Sequence, residues 1–329
     1  MFEHRRKALI AAVAGAAALM TPLVGQAGRD GEWPYGPITM VVPFPAGGPA
    51  DMVARMLGSR LAELLGEAVV VRNLAGANGI VGTRGVAGAP ADGYTVLYNT
   101  SSLVLSPHLY LDPGFDPIAD FDAVSSTVAM PLVLLVHPDV PATDLHSFAA
   151  YGRRLAGNLS YASAGGGNVT HLTAVLLLQA VEISAMHVPY RGSAPALAGL
   201  LDGQTHFMVN PVGDALAPVR DGRLRALAVT SRERIAALPE VPTVAEHGVP
   251  GFQAQAWHGV MVPDGTPPAV VYRLNVAIRQ ALMAQDMQEW LAARGAQVLG
   301  STPGEYAWYI RQEYLRWGAV IQAANIRPD

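Results

Sequence analysis

Apolar positions along the chain switch between two periods, and the switches come in the order strand, helix, strand. Ile38 to Val42 is a short β-branched run entered from Pro37 and stopped by Pro43. After a Pro- and Gly-rich turn from Pro43 to Pro49, residues Val53, Met56, Leu57, Leu61, Leu64 and Leu65 fall on one helical face, and Gly66 ends it. Strands are predicted at Ala68 to Val71 and, after the Asp92-Gly93 turn, at Tyr94 to Tyr98. A second set follows: strands Leu132 to Val136 and Leu159 to Tyr161, a helix from about Val169 to Val181, and a strand Ile183 to Val188. Helix Pro195 to Leu201 and strands His206 to Val209 and Leu224 to Val229 continue it. Leu238 to Gly251, with three prolines, is a connection, and two long helical patterns close the chain, Pro268 to Arg294 and Pro303 to Ala324. Strand–helix–strand order predicts a parallel or mixed sheet flanked by helices, and the tail is expected to pack back on the first domain. A length of 329 residues is about twice the ~150 of one domain, so two domains are expected. No internal repeat is visible.

The first residues have a different character. Arg5, Arg6 and Lys7 precede an apolar run from Ala8 to Met20, then Thr21-Pro22 and Gly25-Gln26-Ala27. This is the layout of a secretory signal peptide over residues 1–27, cleaved near Ala27; export by the general or the twin-arginine route stays open. The apolar run is shorter than the ~20 residues that span a bilayer. No other stretch of 18 apolar residues exists, so a soluble mature protein is expected. The chain has no cysteine, which excludes disulfides and a lipid-anchored cysteine. An exported protein without disulfides points to the bacterial periplasm. Without the leader, 19 basic residues face 25 acidic ones, a net charge of −6, and no lysine is left. That composition excludes a P-loop, lysine-based catalysis and a basic nucleic-acid-binding face.

Three Gly-rich turns, each leading from a strand into a helix, carry the chemical interest. They are Phe44 to Asp51, Ser163 to Asn168, and Pro189 to Ser193. Glycine lets a backbone come close to a ligand, and a helix N-terminus offers unpaired N–H groups and a positive dipole end. Pro49 suits the first helical position, Asp51 is expected to stabilise the helix start, and Asn168 is a candidate N-cap. Together the turns predict a cleft with anion-binding amides on both walls. Enzyme motifs are missing: there is no G-x-S-x-G, no H-E-x-x-H and no cysteine nucleophile, and Thr170 stands where a dinucleotide fingerprint needs its last Gly. A serine hydrolase using Ser163 and His171 is the distant alternative, although His171 is expected to pack on its helix and bond nearby backbone. Trp257, Trp308 and Trp317 are expected in the core or at a domain interface, and no metal or cofactor is called for.

The run Pro43 to Asp51 with Ala54-Arg55, then Asn73 with Gly76-Ala77-Asn78-Gly79, resembles Bug-type receptors of the tripartite tricarboxylate transporter family. Tyr161-Ala162-Ser163 to His171-Leu172, His187 to Gly192, Leu224 to Thr230 and Leu238 to Thr243 follow in the family's order. The resemblance implies an α/β, type II periplasmic-binding-protein fold: two lobes, each with a mixed sheet, and a ligand cleft between them. One lobe would hold 33–128 and 256–329 and the other 129–255, joined by two crossing strands. It further implies a monomeric, non-enzymatic receptor that captures a small carboxylate and presents its closed state to a membrane permease, or alternatively to a sensor protein. Carried over by position, the near-end contacts are Phe44, Ala46, Gly47 and Gly48, with Asn78, Thr100 and Ser101 beside them. The far-end contacts are Ser163, Gly167, Asn168, Tyr190 and Gly192, with Asn210 and Asp214 at the rim. Asn168 departs from the family's Ser or Thr, which hints at a shorter or more amide-like ligand.

Overall fold

The computed structural model of the protein describes residues 33–326; the expected signal peptide lies outside them. Strand β1 (Ile38–Val42) is nearly all buried, and helix α1 (Pro49–Leu65) follows it. Pro49, with its fixed φ and no N–H to satisfy, starts α1, and Gly66 in the left-handed conformation ends it by donating to the Ala62 carbonyl. Val53, Leu57, Leu61 and Leu65 face the sheet, each gaining about 1.5–3 kcal/mol from burial. Strands β2 (Val69–Asn73) and β3 (Thr95–Thr100) flank β1 in parallel, and the short helices α2 (Ile80–Ala87) and α3 (Ser102–Leu109) follow them.

The 16-residue strand β4 (Phe121–Val136) then runs through both sheets. Its first part, to Pro131, pairs antiparallel with β9 (Gln255–Pro263), which in turn pairs with β3. From Leu132 onward β4 pairs instead with β7 (Phe207–Pro211) and β8 (Arg225–Val229). Between β4 and β7 in sequence lie α4 (Leu145–Leu155), β5 (Ser160–Ser163), α5 (Val169–Ala180), β6 (Met186–Pro189) and α6 (Ser193–Leu201). Helix α7 (Val212–Arg220) follows β7. Strand β5 lies parallel between β6 and β7.

The first sheet therefore reads β2-β1-β3-β9-β4, with a short β10 (Gln297–Val298) on the far edge of β4. The second reads β6-β5-β7-β4-β8. Each begins with a parallel trio in the same order, followed by an antiparallel strand. The two lobes thus repeat one topology that has no counterpart in the sequence. At the change of sheet, the buried Thr230 hydroxyl accepts from the Leu132 N–H at 3.0 Å and donates to the Ala254 carbonyl at 2.6 Å.

Helices α8 (Pro268–Leu282) and α10 (Pro303–Ala323) pack on β4, α8 also on α1 and α10 also on α3, as expected of the tail. Four expectations need correction. The first part of β4, the whole of β9 and helices α2, α3, α4 and α7 were not foreseen from the pattern. The single helical pattern from 268 to 294 is two helices, α8 and α9 (Gln285–Ala292). Several predicted strands end one to three residues late or early. Trp257 and Trp317 are fully buried as expected, but Trp308 is 63% exposed on the outer side of α10.

Candidate ligand cleft

In an open sheet, the loops beyond the carboxyl ends of parallel strands, where the strand order reverses, form the natural ligand crevice. Strands β1, β3, β5 and β7 all end there; Thr100, Ser163 and Asn210 stand at the ends of β3, β5 and β7, and the other residues singled out for binding stand on the loops or helix starts that follow these strands, save Asn78 beyond β2 and Tyr190 and Gly192 beyond β6.

In the first turn, Gly47 has φ +81°, which requires glycine, whereas Gly48 is extended and opens α1. The Gly47 N–H is spent on Asp51 Oδ2 at 2.8 Å. Among the described residues, the N–H groups of Ala46 and Gly48 make no hydrogen bond to protein. Asp51 is only 3% exposed and is clamped from behind. Arg55 Nε donates to its Oδ2 at 3.0 Å, and Asn73 Nδ2 donates to its Oδ1 at 2.9 Å and to the Phe44 carbonyl at 3.0 Å. Asp51 therefore positions the turn, as expected of it, and its oxygens are committed. Burial would raise its carboxyl, but the Arg55, Gly47 and Asn73 hydrogen bonds outweigh it and hold the pKa below the usual 3.8. A depressed carboxylate contributes stability above its unfolded value that is lost as pH falls through the folded value. Melting followed from about pH 5 to 2 should thus show a steeper acid loss in the wild type than in Asp51→Asn, and equal slopes would refute the clamp.

Beside this turn, Thr100 Oγ1 lies 3.0 Å from Ser102 Oγ and accepts from the Ser102 N–H at 3.3 Å, while Ser101 is buried. Asn78 is held at φ +51° with its Nδ2 buried and unpartnered, and the Phe44 ring lies against Gly79.

The second wall is built differently. Asn168 caps α5: its Oδ1 accepts from the Thr170 N–H at 3.1 Å and from the Thr170 hydroxyl at 3.2 Å. The amide acceptor is thus consumed, and only its Nδ2 donors are left for a ligand. The N–H groups of Ala164, Gly165, Gly167 and Asn168 go to Thr170 Oγ1, Ser163 Oγ, His171 Nδ1 and the Gly165 carbonyl. The expectation of free amides on both walls is corrected accordingly: the second turn spends most of its own donors to hold its shape.

Ser163 is fully buried, with its hydroxyl 2.6 Å from His187 Nε2 and donating to the Gly165 carbonyl at 3.1 Å. It does not meet His171, so the hydrolase pairing does not form. His171 instead stacks on His187 with centroids 3.8 Å apart and accepts the Gly167 N–H at 3.0 Å, as the helix-packed reading expects. Burial, and secondarily the neighbouring His187, lower the His171 pKa to about 3, so its Nδ1 stays an acceptor at neutral pH. The Tyr190 hydroxyl donates to Gln204 Oε1 at 3.0 Å over Gly199, and the Gly192 N–H donates to the Ala164 carbonyl at 3.2 Å. The side chains of Ser163 and Tyr190 are thus committed inside their own lobe. Leu109 of α3 packs directly against Gly167, where a Cβ would overlap it, so the two walls meet at this point.

Asn210, at the end of β7, is 0% exposed with neither Oδ1 nor Nδ2 in a well-formed hydrogen bond, and its side chain lies beside Asp214, opposing the rise that burial gives that carboxyl's pKa. Asp214 follows in the first turn of α7 and is half-buried. The sequence reading missed the positioning roles of Asn73, Thr170 and His187. A polar side chain that fastens a loop from behind leaves no periodic signal.

Comparison with known proteins sets these walls in context. Residues 53–326 match the profile of the Tripartite tricarboxylate transporter family receptor. The periplasmic binding protein BugD is 35% identical, with TM-score 0.80 over 90% of this chain and all of that one. Rpa4515 of R. palustris, solved with adipate, is 33% identical, with TM-score 0.83 over 91% of this chain and all of that one. MatC from Rhodopseudomonas palustris with bound malate is 34% identical, with TM-score 0.78 over 88% of this chain and 99% of that one.

Proposed function

The chain belongs to the tripartite tricarboxylate transporter receptor family, a family of periplasmic solute-binding receptors and not of enzymes, and on that premise we propose that it captures a small carboxylate between its two lobes and delivers it to a membrane permease. The observation that carries this reading is the first turn. Ala46 and Gly48 offer unspent N–H groups at the start of a 17-residue helix, and Asp51, Asn73 and Arg55 fix that turn before any ligand arrives. Preorganised backbone donors at a positive dipole end hold an anion without a lysine or arginine. Two solved relatives, 33% and 34% identical, hold adipate and malate, both carboxylates, which supports the same ligand class here.

Capture then works by closure. The lobes would be 33–128 with 256–329, and 129–255, and the crossings of β4 and β9 would form the hinge. A ligand bridging the walls favours the closed form by its differential contacts, and the permease would bind that form. A leader over residues 1–27 would bring the chain to the periplasm.

The test is a thermal-shift panel on protein unfolded and refolded to remove carried-over ligand, using acetate, succinate, glutarate, adipate, malate and amino acids. Ligand at a hundred times its dissociation constant stabilises by about 2.7 kcal/mol, which is several degrees of melting temperature. A shift confined to one carboxylate class is the expected result. A flat panel, together with no organic acid released on unfolding, would refute carboxylate capture.

A further inference from the structure

We propose that Gly213 sets how far the two lobes close: its bare Cα is the seat on which the backbone of Arg294, from the other lobe, comes to rest when the cleft shuts. The inference deepens the capture-by-closure reading and rests on it and on the lobe boundaries given there.

Arg294 and Gly295 follow α9 in the first lobe, and Val212 and Gly213 open α7 in the second. A Cβ added to Gly213 would lie 2.8 Å from the Arg294 carbonyl oxygen, and its three nearest neighbours would all be atoms of Arg294. A Cβ on Gly295 would likewise lie 2.8 Å from Val212 Cγ1. The two backbones therefore touch with no room for a side chain between them. Both turns are held firmly. The Arg294 and Ala296 N–H groups donate to the Leu291 carbonyl, each at 3.0 Å, and the Arg294 guanidinium lies 3.9 Å over the Trp290 ring. Leu291 and Val212, which anchor the two turns, are both buried. A carbonyl oxygen set against the first turn of a helix also meets the positive end of its dipole, so the approach is attractive until the atoms touch.

Gly213 serves no purpose inside its own lobe. It lies within α7 with helical backbone, where alanine is the better helix former, and it is exposed. The contact sits beside the strand crossing: β10 pairs Gln297 with Ala129 just before β4 changes sheet, and Pro211 pairs with Leu132 just after. Next to it, a 140 Å³ cavity separates Met52 and Val53 of α1 from Asp214 of α7, with Met130 of β4 in its lining. The lobes thus touch at a point beside the hinge and leave a gap next to it. A side chain at that point would act as a wedge. A few tenths of an ångström there become a wider opening farther from the hinge, where a bridging ligand needs both walls.

Gly213→Ala tests this, with Gly304→Ala, where a Cβ on α10 meets nothing within 4 Å, as the control. The ligand-stripped proteins are titrated calorimetrically with each acid of the thermal-shift panel, and small-angle scattering follows their compaction at saturation. Free Gly213→Ala should melt no lower than wild type, because the open form holds no overlap. It should bind the wild type's ligand about tenfold or more weakly and compact less when saturated, since overpacking a close contact disfavours the closed form. Gly304→Ala should match the wild type in both. Affinity within threefold of wild type in Gly213→Ala would overturn the proposal. Weaker binding with full compaction would also overturn it, because the methyl group would then obstruct the ligand and not the lobes. So would a free-protein melting temperature lowered by more than about 5 °C, which would make the contact part of the permanent core. If the wild type binds an acid without compacting, closure itself fails and the stop with it. If it binds none, carboxylate capture fails, a result distinct from all of these.

Discussion

Gly48→Val is expected to abolish ligand binding while leaving the melting temperature of the free protein within about 2 °C of wild type. The folded chain tolerates a side chain there. Gly48 has φ −77° and ψ 169°, an extended conformation open to any residue and the one favoured before proline. A Cβ added to it would have only the Pro45 carbonyl oxygen within 4 Å, at an ordinary 3.5 Å. The valine branches must then project into the space in front of the turn, where an anion would approach the Ala46 and Gly48 amides. Losing two hydrogen bonds to a charged group costs about 3 kcal/mol or more, a factor on the order of 100 in affinity. The neighbouring glycine makes a poorer test, because φ +81° at Gly47 would strain any side chain and confound folding with binding. Titration of Gly48→Val with whichever acid shifts the wild type decides the matter. Affinity within threefold of wild type would move the anion site away from this turn.

What could be read from the sequence, and what could not, follows from how far apart the deciding partners lie. The first turn was legible because each of its demands is local: glycine at a positive φ, proline at the first helical position, an acid one turn on. The cap by Asn168 was legible for the same reason. The first part of β4 was not. Ser125, Ser126 and Thr127 are buried but polar, a pattern that suggests a loop. They are tolerated because Ser125 Oγ donates to the Ser301 carbonyl at 2.9 Å and the Ser126 N–H to Ser301 Oγ at 3.0 Å, partners some 175 residues away. Strand β9 hid similarly, since Gly259 interrupts it to let the Tyr306 ring pack against its backbone. The local geometry of the first turn was therefore foreseen nearly as built. The cleft's second wall was misjudged, because Thr170, His171 and the Ser163–His187 pair spend donors that the sequence alone presents as free.

The largest effect on stability is expected at Glu313, a buried carboxylate on α10 that no motif singles out. Its Oε2 accepts from two fully buried indoles at once, Trp257 Nε1 at 3.1 Å and Trp317 Nε1 at 2.9 Å, while Arg316 donates to Oε1 at 3.3 Å. Trp257 belongs to β9, so this one side chain fastens the last helix to a crossing strand. Glu313→Ala strands two buried donors at about 1–3 kcal/mol each and opens a gap between the rings, for a total of about 3–5 kcal/mol. The melting temperature should then fall by roughly 10 °C. Glu313→Gln keeps an acceptor oxygen and nearly the same volume, so it should recover at least half of that loss. Because Trp257 lies on the first-sheet side of the crossing, the bond should hold β9 to its own lobe without resisting closure. Ligand affinity measured well below the melting temperature should accordingly change less than threefold in either variant. A fall of under 2 °C in Glu313→Ala would show that the indoles find other partners, and a large loss of affinity in a folded variant would place the fastening within the moving hinge.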